Sequence, residues 1–228
     1  MIVDNVPQRS AEWHKMRLGH FTGSKIADLM KSGRKKDEMF SDTAKSYIYQ
    51  VAGERLFNEA FLDDDTFQDY IDQTSFVTKA MQWGIDMEEQ AKSCYCSLEE
   101  NQGVEIAEVS SCKHDDIPFF AASPDGIVYN REELKCIEVK CPNLATHMRY
   151  TAEIHDGESL KAVKPEYYWQ VMAEMSCTGA SSTDFISYNP WITKPIHIVN
   201  IPRNEEDIKL LEQRVILANK FIEEIINK

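Results

Sequence analysis

The stretch that decides the fold is residues 123–142, SPDGIVYNREELKCIEVKCP. It reads as a short hairpin, with Ile127 and Val128 in one strand and Ile137 and Val139 in the next. Side chains alternate along a strand, so Glu138 and Lys140 share one face while Ile137, Val139 and Cys141 share the other. Two ions on a buried strand are costly unless they are paired or bind something. Asp125 stands between a proline and a glycine at the end of the preceding strand, across the hairpin from them. Three groups therefore converge: Asp125, Glu138 and Lys140. Two carboxylates and the carbonyl of Val139 suit a hard divalent cation such as Mg²⁺, which takes oxygen ligands. A lysine beside that ion can orient a water or stabilise charge developing at phosphorus. The plain alternative is an exposed edge hairpin with an ordinary Glu–Lys pair, which contributes little. The apolar residues flanking the charges favour the buried strand.

Outward from the hairpin, VEIAEVSSC (104–112) and PFFAASPDG (118–126) read as strands. A helix is expected at 165–177, strands at 181–190 and 194–202, and a core-facing amphipathic helix at 205–228. Towards the N-terminus, Ser24 is positioned to cap a helix over 25–31, and a second helix spans 42–57. The acidic segment 59–73 reads as a solvated loop with a helical turn. A third helix is expected from residue 75 through Trp83 and Glu88 to residue 98. No repeat and no Pro-, Gly- or Ser-rich linker interrupts the chain, so residues 1–228 read as one domain. The fold class is α/β, with a central mixed β-sheet flanked by helices.

The 228 residues are 43% hydrophobic, enough for a sizeable core. Twenty-five Lys and Arg against 38 Asp and Glu give a formal charge of −13. That excludes a broadly basic nucleic-acid coat but leaves room for a local basic patch. Residues 9–36 hold eight basic side chains (Arg9, Lys15, Arg17, Lys25, Lys31, Arg34, Lys35, Lys36) against Glu12 and Asp28. Such an asymmetry fits DNA steered to one face, with a solvated basic helix and loop as the plain alternative. Within it, Arg17, Thr22 and Ser24 combine a guanidinium, two hydroxyls and a helix start, a ready phosphate site. Trp13 reads as a core residue in preference to a base-stacking platform. No basic segment leads into an N-terminal apolar run, so no signal peptide is expected, and no membrane span either. Six cysteines without a C-x-x-C pair fit reduced thiols in the cytoplasm. A metal cluster on Cys94, Cys96, Cys136 and Cys141 is the alternative.

Pro124-Asp125…Glu138-Val139-Lys140 resembles the PD-(D/E)xK motif of restriction-endonuclease-like nucleases. Residues 12–26, EWHKMRLGHFTGSKI, are similar to the W-x3-R-x-G-x2-T-x-S segment of the lambda exonuclease and YqaJ-type viral recombinase family. Residues 81–91, MQWGIDMEEQA, resemble that family's W-G-x3-E helix, and Tyr167-Tyr168-Trp169-Gln170 its YxxQ element. The four blocks keep the family's order from about residue 12 to 175. The resemblance implies a restriction-endonuclease-like core and picks Glu88 over neighbouring Glu89 as the third acid. Two metals per site are implied, Mg²⁺ or alternatively Mn²⁺. Asp125, Glu138 and the Val139 carbonyl would hold one, Asp125 and Glu88 the other, with Lys140 acting on water. Arg17, Ser24, Ser123 and Gln170 would hold a 5′-phosphate, with Thr22 beside them and Tyr167 at the DNA. The implied activity is 5′→3′ digestion of one strand of duplex DNA from its ends, leaving 3′ single strands for phage-type recombination. A ring-shaped homotrimer, a single-strand annealing partner and a cytoplasmic place in a bacterial or phage-infected cell follow from the same resemblance. Two rival readings are an endonuclease or repair-complex nuclease acting internally, and an idle DNA-end-binding protein. The intact set Glu88, Asp125, Glu138 and Lys140 speaks against the idle one.

Overall fold

The computed structural model describes residues 2–4, 6–33, 38–58, 60, 62, 64–74, 77–98, 101, 103–130 and 133–227. The chain begins with β1 (Ile2–Asp4), α1 (Ala11–Arg17), β2 (Phe21–Thr22), a 3₁₀ turn (Gly23–Lys25) and α2 (Ile26–Met30). Three helices follow, α3 (Asp42–Arg55), α4 (Asp64–Thr74) and α5 (Lys79–Cys96). Next come β3 (Ile106–Ala107), β4 (Ser111–Lys113), β5 (Phe120–Ala122), β6 (Gly126–Asn130) and β7 (Glu133–Lys140). The last third holds α6 (Leu144–Glu153), α7 (Gly157–Val163), α8 (Pro165–Thr178), β8 (Ser182–Tyr188), β9 (Ile196–Pro202) and α9 (Glu205–Ile226).

A five-stranded mixed sheet has the order β3-β6-β7-β8-β9, with β7 in the middle and only β7–β8 parallel. The expected central sheet is this one. A second, four-stranded sheet of short strands, β1-β4-β5-β2, was not foreseen. The reason lies in two segments that each split between the sheets. In 104–112, β3 joins the large sheet and β4 the small one; in 118–126, β5 ends in the small sheet and Gly126 opens β6 in the large. Ser123-Pro124-Asp125 is therefore the seam where the chain passes from one sheet to the other. Gln8 fastens it, its Nε2 donating to the carbonyls of Pro124 (3.0 Å) and Val109 (2.7 Å).

Both faces of the large sheet are covered, as a strand like β7 with a parallel partner requires. On one face α5 packs Ala91 and Tyr95 against Ile137, Val139 and Ile186. On the other, α8 and α9 bury Val171, Met172, Leu211 and Val215 with Cys136 and Phe185. α8 starts with Pro165 at its first position and stops at Gly179, whose φ of +75° suits a glycine C-cap.

Two expectations need correcting, for the acidic segment and for Ser24, and one stretch left without a reading proves helical. The acidic segment is mostly a helix, α4, because Phe67 and Ile71, one turn apart, give it a buried stripe. Two helices, α6 and α7, fill 144–163, started by Asn143, which accepts from the Thr146 amide, and by a capping box between Asp156 and Ser159. Ser24 does not cap a helix; it sits inside the 3₁₀ turn that leads into α2.

Candidate active site

Alternation along β7 places Glu138 and Lys140 on the α8 side, with Val139 and Cys141 on the α5 side. Glu138 is only 1% exposed. Its Oε1 accepts from the Lys140 ammonium and, at 2.7 Å, from Gln170 Nε2 on α8. The same Gln170 nitrogen donates to Glu174 Oε1 at 3.0 Å, one helical turn on. The ring of Tyr167 lies 4.8 Å from the Lys140 ammonium. Two buried carboxylate oxygens, Glu138 Oε2 and Glu174 Oε2, have no hydrogen-bond partner. A buried acceptor left bare is unusual and marks a place for an ion or water.

Asp125 reaches β7 from the seam, where its Oδ2 accepts from the Val139 amide at 2.7 Å. The last β6–β7 rung joins Gly126 to Ile137, so Val139 lies beyond the ladder. The amide and carbonyl of a strand residue point to the same side, and the Val139 carbonyl therefore faces the Asp125 side. Burial, then the carboxylate of Glu138 and that of Glu88, push Asp125 up to about 8, against the pull of Lys140. Glu174 is pushed well above the usual carboxylate range by burial and by Glu138. Burial works to lower Lys140, but Glu138 and Asp125 outweigh it and hold its ammonium above the ordinary value. Lys140 is thus a cation at neutral pH, set among carboxyl groups of which Asp125 and Glu174 are pushed towards their protonated forms.

Among the described residues no three His, Cys, Asp or Glu side chains already close into a metal cage. The donor set is an open one: Asp125, Glu138 with its bare oxygen, and a backbone carbonyl. It fits Mg²⁺, which keeps several waters and takes one or two carboxylates. Glu88 faces the same cavity from α5, while Glu89 points to solvent. Burial pushes Glu88 up, but hydrogen bonds from Arg9 (2.6 Å) and Lys92 (2.8 Å) outweigh it and lower it overall. Arg9 holds a left-handed backbone (φ +70°), sparsely populated for a residue with a side chain.

The cavity measures about 930 Å³. It gathers Glu88, Asp125, Glu138, Val139 and Lys140 with Arg17, Ser24, Ser123, Tyr167 and Gln170. Arg17 donates to Ser123 Oγ at 2.7 Å and approaches Ser24 Oγ at 3.5 Å. Its guanidinium lies 4.0 Å from the Trp13 ring, and Trp13 is anchored by donating to the Ser110 carbonyl at 2.9 Å. Trp13 is thus a half-buried shelf for Arg17, neither pure core nor free platform. Burial lowers Arg17 to about 10, still a cation at neutral pH.

Thr22 is not brought in. Its amide donates to the Tyr47 hydroxyl at 2.9 Å and its own hydroxyl lies 3.4 Å from the same oxygen, away from the cavity. Gln170 is present, but its amide nitrogen is committed to Glu138 and Glu174. The basic segment is not one face: Arg9 and Arg17 line the cavity, whereas Lys25 bonds Gln50 and Lys31 bonds Asp28. Arg34, Lys35 and Lys36 lie outside the described residues. The four-cysteine cluster is not assembled, because Cys136 meets Thr178 on the α8 side and Cys141 packs on the α5 side. Sequence reasoning missed Arg9 as a partner of Glu88, and Glu174. The i+4 step from Gln170 to Glu174 on one helix was the available signal for the second.

The YqaJ-like viral recombinase domain family matches residues 12–181. Curated protein sequences give no match. Among solved structures, an alkaline exonuclease from Laribacter hongkongensis is similar, with a TM-score of 0.72 and 28% identity over 96% of this chain and 95% of that one. The same exonuclease in complex with dAMP superposes equally well. A phage-related exonuclease from Haemophilus somnus shares the fold, with a TM-score of 0.63 and 20% identity over 91% of this chain and 95% of that one. The large mixed sheet with its helices is of the PD-(D/E)xK type, and with three quarters of its length matched, the chain belongs to the YqaJ-like viral recombinase domain family.

Proposed function

We propose that this protein is a Mg²⁺-dependent exonuclease that digests one strand of duplex DNA from a 5′ end and leaves a 3′ single strand. The observation that carries this reading is the bare, buried Glu138 Oε2 beside Asp125 and the Val139 carbonyl, an oxygen set of the kind a hard divalent cation takes. Asp125, Glu138 and the Val139 carbonyl would hold one ion; Asp125 and Glu88 would hold a second. Such ions supply Lewis acidity at the scissile phosphate and a more acidic water. The chain's own residues do the rest. Lys140, a cation that donates hydrogen bonds, orients the attacking water and stabilises charge on the phosphate oxygens. Gln170 holds Glu138 and Glu174 in register, and Arg9 with Lys92 fixes Glu88. Arg17, with Ser123 and Ser24, meets the terminal 5′-phosphate, whose extra charge a guanidinium fork can match. Polarity, a homotrimeric ring and a single-strand annealing partner are supported by the family alone.

The test compares 5′-labelled linear duplex with covalently closed circles, in Mg²⁺, Mn²⁺ or EDTA. Loss of label from the linear form only, and only with metal, is the expected result. Cutting of circles would identify an internally acting nuclease, and end binding without cutting an idle one. A duplex carrying a 5′-phosphate should be digested at least about tenfold faster than one with a 5′-hydroxyl, since a bond to a charged group contributes about 1.5–3 kcal/mol. Arg17→Ala should bring that ratio towards one, and Arg17→Lys should restore part of it. Equal rates on both ends in the wild type would remove the phosphate pocket from the reading.

A further inference from the structure

Trp191 is 74% exposed, a rare setting for an indole. It sits in the turn between β8 and β9 and lies nearly parallel to Trp83, with ring centroids 6.2 Å apart and planes 15° from parallel. Both rings line the cavity that holds Asp125, Glu138 and Lys140. Trp83 is itself anchored, packing against the core between α5 and the large sheet. We propose that the outer face of Trp191, backed by Trp83, is a stacking platform for an unpaired nucleobase of the strand entering the cavity. This rests on the nuclease reading given above.

The mount is rigid. Asn189, 1% exposed, accepts from the Trp191 amide at 3.1 Å and donates to the Pro142 carbonyl at 3.0 Å. The Asn189 amide donates to the Pro195 carbonyl at 2.8 Å, closing the turn. The backbone of Trp191 is therefore fastened to the chain two residues beyond Lys140, and its indole rests on Trp83. Trp83 and Glu88 both face this cavity from α5. A cavity of about 930 Å³ is far larger than one phosphate needs, and the base attached to that phosphate must lie against some wall. Every base has a π-face, so stacking on an aromatic ring is indifferent to sequence, as digestion of DNA of any sequence requires. Half-exposed Met81 and Leu144 extend the apolar rim on which a base could rest.

The test measures binding of two 5′-phosphorylated duplex probes with three unpaired nucleotides at that end. One probe carries bases there; the other carries abasic sites. Ca²⁺ replaces Mg²⁺, and a gel confirms that the probes stay intact. Wild type is expected to bind the base-bearing probe about 5- to 100-fold more tightly. Trp191→Ala should reduce that ratio to near one, and Trp191→Phe should keep most of it. Because the side chain is exposed, the melting temperature and the mass by light scattering should not change. A ratio near one in the wild type, or an unchanged ratio in Trp191→Ala, overturns the platform while leaving the nuclease reading intact. A change of oligomeric mass in Trp191→Ala overturns it in favour of a contact between copies of the chain. Failure to bind either probe overturns the nuclease reading and the platform together.

Discussion

At the residue scale, the charge arrangement around Asp125 makes a prediction about pH. Asp125 has an ordinary value of 3.8 when the chain is unfolded and about 8 when folded without metal. Between those values the folded chain keeps a proton that the unfolded chain has released, so stability falls as pH rises through that window. In EDTA, the melting temperature should fall by several degrees from pH 5 to pH 8. Asp125→Asn should flatten much of that slope, and so should Mg²⁺ added to the wild type, because the ion takes the proton's place. A wild-type slope unaffected by either would show that the carboxylates are not crowded as described. Glu88 and Glu89 offer a second test. Glu88→Gln should lower turnover by orders of magnitude, as removal of a group stabilising the reacting charge does. Glu89→Gln, pointing to solvent, should change it little; the reverse pattern would place the wrong acid at the metal.

At the element scale, the site depends on how the seam enters β6. Gly126 follows Asp125 directly, and a Cβ added there would come within 2.3 Å of Ile106 Cγ2 on β3. Gly126→Ala should therefore push β3 aside or shift Asp125, at about 1–3 kcal/mol of stability by overpacking. Removing the obstructing methyl groups with Ile106→Ala in the same chain should restore part of the melting temperature and of the turnover. If the double variant is no better than Gly126→Ala, the clash is not what sets the cost. The helices show the same dependence on packing. α4 was hidden by its acids although Phe67 and Ile71 carry it, and α5 turns Glu88 inward because Ala91 and Tyr95 dock on β7.

At the scale of the whole molecule, the protein is acidic, yet its cavity presents Arg9 and Arg17 among the carboxylates. Few cations meet phosphate, so DNA affinity should fall with salt at a log–log slope of only about −2 to −4. Titrations of an end-bearing duplex at several salt concentrations measure it. A slope steeper than about −6 would reveal a broader basic surface, to which Arg34, Lys35 and Lys36 would contribute. Light scattering should give three times the 26.3 kDa of one chain if the ring forms.

The sequence by itself determined the alternation that puts Glu138 and Lys140 on one face of β7, because the strand period is local. It also determined the fold class, since the order of apolar runs and turn residues is written along the chain. The motif blocks marked Glu88, Arg17, Ser123 and Gln170, all of which line the cavity. Only the tertiary structure decided the rest. It divided the strands between two sheets, a matter of long-range pairing that no local pattern specifies. It turned Thr22 towards Tyr47, because the burial of a short strand such as β2 depends on what packs beneath it. It committed the Gln170 amide to Glu138 and Glu174, and it brought Arg9 to Glu88 across 79 residues of chain. Side-chain partners so far apart in sequence are set by packing of the whole molecule, which is why spacing alone named the acids but not the groups that hold them.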